Sequence, residues 1–150
     1  MVTLAALQQA VSAVADPEIP VLTIADLGML RDVALGADGR PVITITPSYS
    51  GCPAMRVIEA DIRAALAALG CQDAELRIVL APAWSSDWLS EAGRAKLQAY
   101  GIAPPTASRP NCPRCGAADT ELLAAFGSTA CKALWRCTAC REPFDHFKCH

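Results

Sequence analysis

Apolar residues recur at helical spacing through the start of the chain, at Leu4, Leu7, Val11 and Val14, and predict an opening helix. Asp16-Pro17-Glu18 and Pro20 then force a turn or an extended path, because the residue before a proline avoids the helical region. The period changes to two at Leu27, Met29, Val33 and Leu35, which is the pattern of a strand. Asp38-Gly39 is a hairpin signal, and Val42 to Thr46 is expected to pair back as a second strand. Met55, Ile58, Ile62, Leu66 and Leu69 form another helical stripe, ended by Gly70. Leu76, Ile78 and Leu80 mark a third strand. A last helix is expected from about Ser86 to Tyr100, with Gly101 as its stop and Pro104-Pro105 beyond. The order α-β-β-α-β-α predicts a compact α+β fold, with helices packed on a small mixed three-stranded sheet.

Cysteine density divides the 150 residues: two cysteines fall in residues 1–100 and six in 112–150. Residues 102–111, rich in Pro and small side chains, read as a stiff linker between an α+β domain at 1–101 and a small, β-rich, zinc-ribbon-like domain at 112–150. The apolar fraction of 53% excludes a disordered chain. A net charge of −2 with no basic stretch lacks the electrostatic footprint of nucleic-acid binding. Met1–Ala15 is too short, too interrupted and too poor in Lys and Arg for an export signal. No apolar run is long enough to span a membrane. Eight cysteines without an export signal point to the cytoplasm, where close Cys pairs are metal ligands or reactive thiols more often than disulfides.

Cys112-Pro-Arg-Cys115 and Cys137-Thr-Ala-Cys140 are two C-x₂-C pairs. Two intervening residues let both sulfurs of a tight turn converge on one ion, and two such turns complete a tetrahedral four-sulfur site. Zinc in a structural role is the default for such a site; four thiolates also suit iron, alone or in a cluster. Cys131, His146, Cys149 and His150 lie nearby. Residues 131–137 and 143–149 are expected to form a hairpin that pairs Cys137 with Pro143 and Cys131 with Cys149. Cys131, Cys149 and His150 are then either a second, incomplete metal site or merely half-buried core residues.

Thr44-Ile-Thr-Pro-Ser-Tyr-Ser-Gly-Cys-Pro53 runs from a strand into a hydroxyl-rich loop. Pro53 suits the first position of a helix, which would place Cys52 at the helix start, where the dipole lowers a thiol's pKa. Gly51 would let a backbone or cofactor approach closely. Cys52 is thus a candidate nucleophile or soft-metal ligand; the alternative is a buried structural cysteine. Asp16 and Glu18 are candidate general acids or ligands, although a pair of turn carboxylates is usually just solvated. With no histidine in residues 1–145, a Cys–His couple within the first domain is excluded, and no Walker loop or dinucleotide fingerprint appears. A catalyst acting alone is not expected.

Asp16-Pro17-Glu18, the hydroxyl-rich strand end and Cys52 resemble the SufT-like family of iron–sulfur assembly proteins over residues 1–100. Nearly the whole chain resembles the D subunits of bacterial phenylacetyl-CoA epoxidase systems. That likeness rests on Pro82-Ala-Trp-Ser-Ser-Asp-Trp88, Ser90-Glu-Ala-Gly-Arg94, Gly101-Ile-Ala-Pro-Pro105, Phe126-Gly-Ser-Thr-Ala-Cys-Lys-Ala-Leu-Trp-Arg-Cys137 and Glu142-Pro-Phe-Asp-His-Phe-Lys-Cys-His150. The resemblance implies a role in aerobic phenylacetate breakdown, where a di-iron oxygenase receives electrons from a flavin and iron–sulfur reductase subunit. The chain lacks the Glu-x-x-His pairs of a di-iron bundle and the flavin and nicotinamide motifs. An accessory role is therefore implied: Cys52, Asp16 and Glu18 would handle a transient iron–sulfur cluster destined for the reductase. The alternative is a zinc-ribbon adaptor that docks oxygenase subunits. An unpaired edge of the three-stranded sheet permits a homodimer.

Overall fold

The computed structural model describes residues 2–48 and 52–148, which divide into two compact units, Met1–Ser90 and Glu91–His150. In the first, α1 (Leu4–Ser12) is capped by Thr3, whose hydroxyl accepts the Ala6 amide at 3.1 Å. Helix α2 (Met55–Ala68) buries Ile58, Ile62 and Leu66, which sit four residues apart on one face. Strands β1 (Leu30–Leu35), β2 (Pro41–Ile45) and β3 (Glu75–Ile78) form a sheet in that order, with β1 antiparallel and β3 parallel to β2. The expected mixed three-stranded sheet with helices is thus present. Ile43 and Ile45 of β2 are fully buried, as are Leu7 and Val11 of α1.

Two elements differ from expectation. The first strand starts at Leu30 instead of Leu27, because Leu27–Met29 is a turn in which Gly28 adopts φ +75°. Leu27 and Met29 are buried as predicted, but by the turn and not by a strand face. The expected helix from Ser86 to Tyr100 is broken in two. A single 3₁₀ turn, Ser86–Trp88, ends at Leu89, which is extended at φ −63° and ψ 128°. The Ser90 amide donates to the Asp26 carbonyl at 2.9 Å, so the backbone there serves the first unit and cannot continue a helix.

The second unit holds α3 (Glu91–Ala99) and strands β4 (Ile102–Ala103), β5 (Thr120–Ala124), β6 (Lys132–Cys137) and β7 (Pro143–Phe147). The sheet order is β4-β7-β6-β5, with β4 parallel to β7 and the other pairs antiparallel. The boundaries expected at 101 and 112 are therefore displaced: the last helix and the Pro-rich stretch group with the ribbon. Ile102 and Ala103 are apolar enough to be buried as a strand, and Arg94 Nη1 donates to the Pro105 carbonyl at 3.1 Å. Within the stretch expected to be a stiff linker, Ile102 and Ala103 thus pair with β7. No helix among the described residues is long and apolar enough to cross a membrane.

A Cβ added at Gly28 would lie 2.6 Å from both Cβ and the carbonyl oxygen of Trp88, at a positive φ that side chains rarely adopt. Gly28→Ala is expected to destabilise the first unit by about 1–3 kcal/mol, or more if the Trp88 backbone cannot move. Denaturant unfolding checks this, and an unchanged midpoint would contradict the packing described.

Candidate functional site

Each cysteine pair sits in a turn shaped by local hydrogen bonds. In the first knuckle the Cys112 amide donates to the Ala117 carbonyl and the Gly116 amide to the Cys112 carbonyl, both at 2.9 Å, with Gly116 at φ +77°. The Thr120 hydroxyl ties this turn to β5 through the Pro110 carbonyl at 2.7 Å. In the second knuckle the Cys137 amide donates to the Glu142 carbonyl at 3.0 Å, and Arg141 takes the left-handed conformation at φ 66°. Amides also aim at sulfur: those of Arg114 and Cys115 at Cys112 Sγ (3.4 and 3.5 Å), and that of Cys140 at Cys137 Sγ (3.4 Å). Such donors stabilise thiolates.

The four sulfurs lie within 4.8 Å of one another. Across the knuckles, Cys112 Sγ is 3.8 Å from Cys140 Sγ and Cys115 Sγ is 3.5 Å from Cys137 Sγ. A tetrahedral ion with bonds of ~2.3 Å holds its sulfurs about 3.8 Å apart, so the set fits a single ion. Hydrogen bonding from the Cys140 amide, then from the Ala139 amide and neighbouring sulfurs, outweighs burial and holds Cys137 down at about 7. The Glu142 amide favours the Cys140 thiolate, but burial and the other three sulfurs push it up to about 12. Crowded thiols that share protons in this way are short of positive charge, which a metal cation supplies. Cys112 and Cys137 are buried, whereas Cys115 and Cys140 are exposed.

Among the described residues these four are the one group of three or more ligands within reach of a common ion. Asp16, Glu18 and Cys52 do not converge in that way. Asp16 is buried, and its Oδ1 accepts the amides of Glu18 at 2.7 Å and Ile19 at 3.1 Å, so the carboxylate builds its own turn. Cys52 is 8% exposed. It does not sit at the helix start: α2 begins at Met55 with Ala54 as its cap, because Pro53 and Ala54 form a turn first. Gly51 lies outside the described residues. Cys71 is buried, its thiol 3.8 Å from the Leu69 carbonyl.

The hairpin register is one residue away from expectation. Arg136, not Cys137, pairs with Pro143, and Lys148, not Cys149, falls opposite Cys131, to whose carbonyl its amide donates at 2.9 Å. The close turn at the second knuckle fixes this register, and a shift of one exchanges the faces of every side chain. Cys149 and His150 lie outside the described residues. The Cys131 Sγ is 3.0 Å from the Thr129 hydroxyl. His146 is buried, which holds its imidazole below the usual value against a hydrogen bond to the Pro104 carbonyl.

Among the described residues three buried polar atoms lack a hydrogen-bond partner: Thr46 Oγ1, Trp135 Nε1 and His146 Nε2. Thr46, at the end of β2 on the segment leading to Cys52, is visible in the sequence only as one of several hydroxyls in that stretch. Sequence gives no signal for which of them is buried and unpaired.

Comparison with known proteins places both units. A family model described as "Iron-sulfur cluster assembly protein" matches residues 4–75, and one described as "PaaD zinc beta ribbon domain" matches residues 103–148. The chain is 49% identical over 146 residues to a protein of Escherichia coli (strain K12) named as the putative D subunit of 1,2-phenylacetyl-CoA epoxidase, covering 92% of the chain and 88% of that protein. It is 37% identical over 89 residues to the Fe-S protein maturation auxiliary factor YitW of Bacillus subtilis (strain 168), covering 59% of the chain and 86% of that protein. A crystal structure of a domain of unknown function, DUF59, from Bacillus anthracis is similar at 30% identity and a TM-score of 0.55. That likeness covers 61% of the chain and 87% of the domain.

Cys137→Ser is expected to abolish stoichiometric metal binding and to loosen the second unit, as read by elemental analysis and circular dichroism. Because the ligands must shed protons, affinity should fall as pH is lowered. Chelation should open the core around the knuckles, so that buried Cys112 and Cys137 become as accessible to alkylation as exposed Cys115 and Cys140. Persistent protection of Cys112 and Cys137 after chelation would show that the core closes without the ion.

Proposed function

The chain belongs to the family of 1,2-phenylacetyl-CoA epoxidase D subunits, and from that premise we propose that it is a non-catalytic accessory protein of phenylacetate breakdown that matures an iron–sulfur cluster for its partners. The observation that carries the reading is the joining of two units in one family member. The first matches the iron–sulfur cluster assembly model and is followed by a second with a four-cysteine centre. Relatives named as Fe-S maturation factors add support. In this reading the client is the iron–sulfur reductase of the epoxidase, and the ring chemistry belongs to other subunits.

Cys52 is the transient cluster ligand. The Asp16 turn, with Glu18 beside it, shapes the pocket wall, and the Thr46 hydroxyl, without a partner among the described residues, is a hydrogen-bond donor available to a bound sulfide or thiolate. The resident metal is zinc on Cys112, Cys115, Cys137 and Cys140. It supplies charge neutralisation and cross-linking, and four protein ligands leave no open position for a reaction. No disulfide joins the cysteines among the described residues, in keeping with a reducing cytoplasmic location.

A second reading is favoured by the burial of Cys52 and by the absence of converging ligands around it among the described residues. Here the first unit is structural and the whole chain is an adaptor between oxygenase subunits. Zinc, iron and acid-labile sulfide on anaerobically purified protein separate the two: zinc alone favours the adaptor, and added iron and sulfide favour maturation. Cys52→Ser is expected to fail to restore growth on phenylacetate in a deletion strain while retaining its zinc. Full restoration would remove the cluster-handling role.

A further inference from the structure

Strand β5 forms one edge of the four-stranded sheet, so one side of its backbone is unpaired. A bulge between Leu122 and Ala124 re-aims the side chains there. Leu122 is 52% exposed, Leu123 45% and, just beyond the strand, Phe126 70%. Three large apolar side chains exposed within five residues at a strand edge are unusual for a surface that meets only water.

Cations stand at both ends of this edge. At one end Arg136 pairs with Glu121 of β5 at 2.8 Å, and together with Cys137, Thr138 and Arg141 they line a cavity of about 280 Å³. At the other, Lys148 Nζ lies 3.9 Å over the Phe126 ring and donates to the Ala125 carbonyl at 3.1 Å. Among the described residues neither Arg141 nor Lys148 has a carboxylate partner. The imbalance extends to the whole unit: residues 91–150 carry eight Lys and Arg against five Asp and Glu, whereas residues 1–90 carry five against ten.

We propose that the β5 edge, with Leu122, Leu123 and Phe126 bracketed by Arg141 and Lys148, is the docking surface for an unlike protein subunit that presents apolar side chains ringed by carboxylates. A second copy meeting edge to edge would bring like cations together, which costs free energy at an interface. The bulge interrupts the regular ladder, so side chains carry the contact more than strand addition does. The proposal rests on the accessory reading and names the chemistry of the partner that reading requires.

The test is calorimetric titration of the full-length, zinc-loaded protein against the purified reductase and oxygenase subunits, at low and high salt. One of them is expected to bind, with affinity falling as salt rises. Phe126→Asp should weaken binding roughly 10-fold or more, and Lys148→Glu should weaken it about 3- to 10-fold and flatten the salt dependence. Zinc content and thermal unfolding should stay unchanged in both, since Phe126 is exposed and neither residue is a ligand. Wild-type affinity in both variants, or binding indifferent to salt, overturns the docking surface and leaves the accessory role standing. Loss of self-association in Phe126→Asp would instead assign the edge to a second copy and overturn the proposal. If no subunit binds the wild type, the surface claim fails; the Cys52 complementation result then decides the maturation role independently.

Discussion

Convergence of four sulfurs on one point is the constraint on which the second unit depends. Glu91–His150 is short, and a unit of that size is only marginally stable on apolar packing. Its core around the knuckles is Ala103, Cys112, Cys137 and Phe144, with Ala117 and Trp135 packed against it. Two of those four core residues are ligands. The ion is therefore not attached to a finished fold: binding it and closing the core are the same event, and metal affinity is folding free energy. The tight turns, the left-handed Arg141 and the amides aimed at sulfur all serve to hold thiolates that would otherwise repel one another.

The first unit is held differently. Strand β2, flanked by antiparallel β1 and parallel β3, buries Ile43 and Ile45 completely on its apolar face. The Asp16 carboxylate accepts two backbone amides, so the Asp-Pro-Glu turn is an ordered structural element and not a pair of loose acids. Of the polar groups in this region only Thr46 Oγ1 is buried without a hydrogen-bond partner among the described residues, and leaving such an atom unsatisfied costs about 1–3 kcal/mol.

The two units differ in chemistry: a buried thiol in one, and in the other a four-cysteine sheet whose β5 edge carries exposed apolar side chains near cations. A structural ion suits a docking module, because it fixes the sheet edge without requiring a large core, leaving apolar side chains free to face a partner.

The sequence by itself determined the elements whose signals are local. Helix α2 followed from the four-residue spacing of Ile58, Ile62 and Leu66, the β1–β2 hairpin from alternation and Asp38-Gly39, and the ligand set from two C-x₂-C spacings. Each depends on residues close along the chain, so periodicity and turn chemistry suffice. Tertiary structure alone decided the rest. Ile102 and Ala103 became a strand because β7 was there to pair with them, and the helix expected to begin at Ser86 broke because the Ser90 amide found the Asp26 carbonyl. The β6–β7 register and the burial of Thr46 likewise depend on partners distant in sequence, which spacing along one chain does not encode.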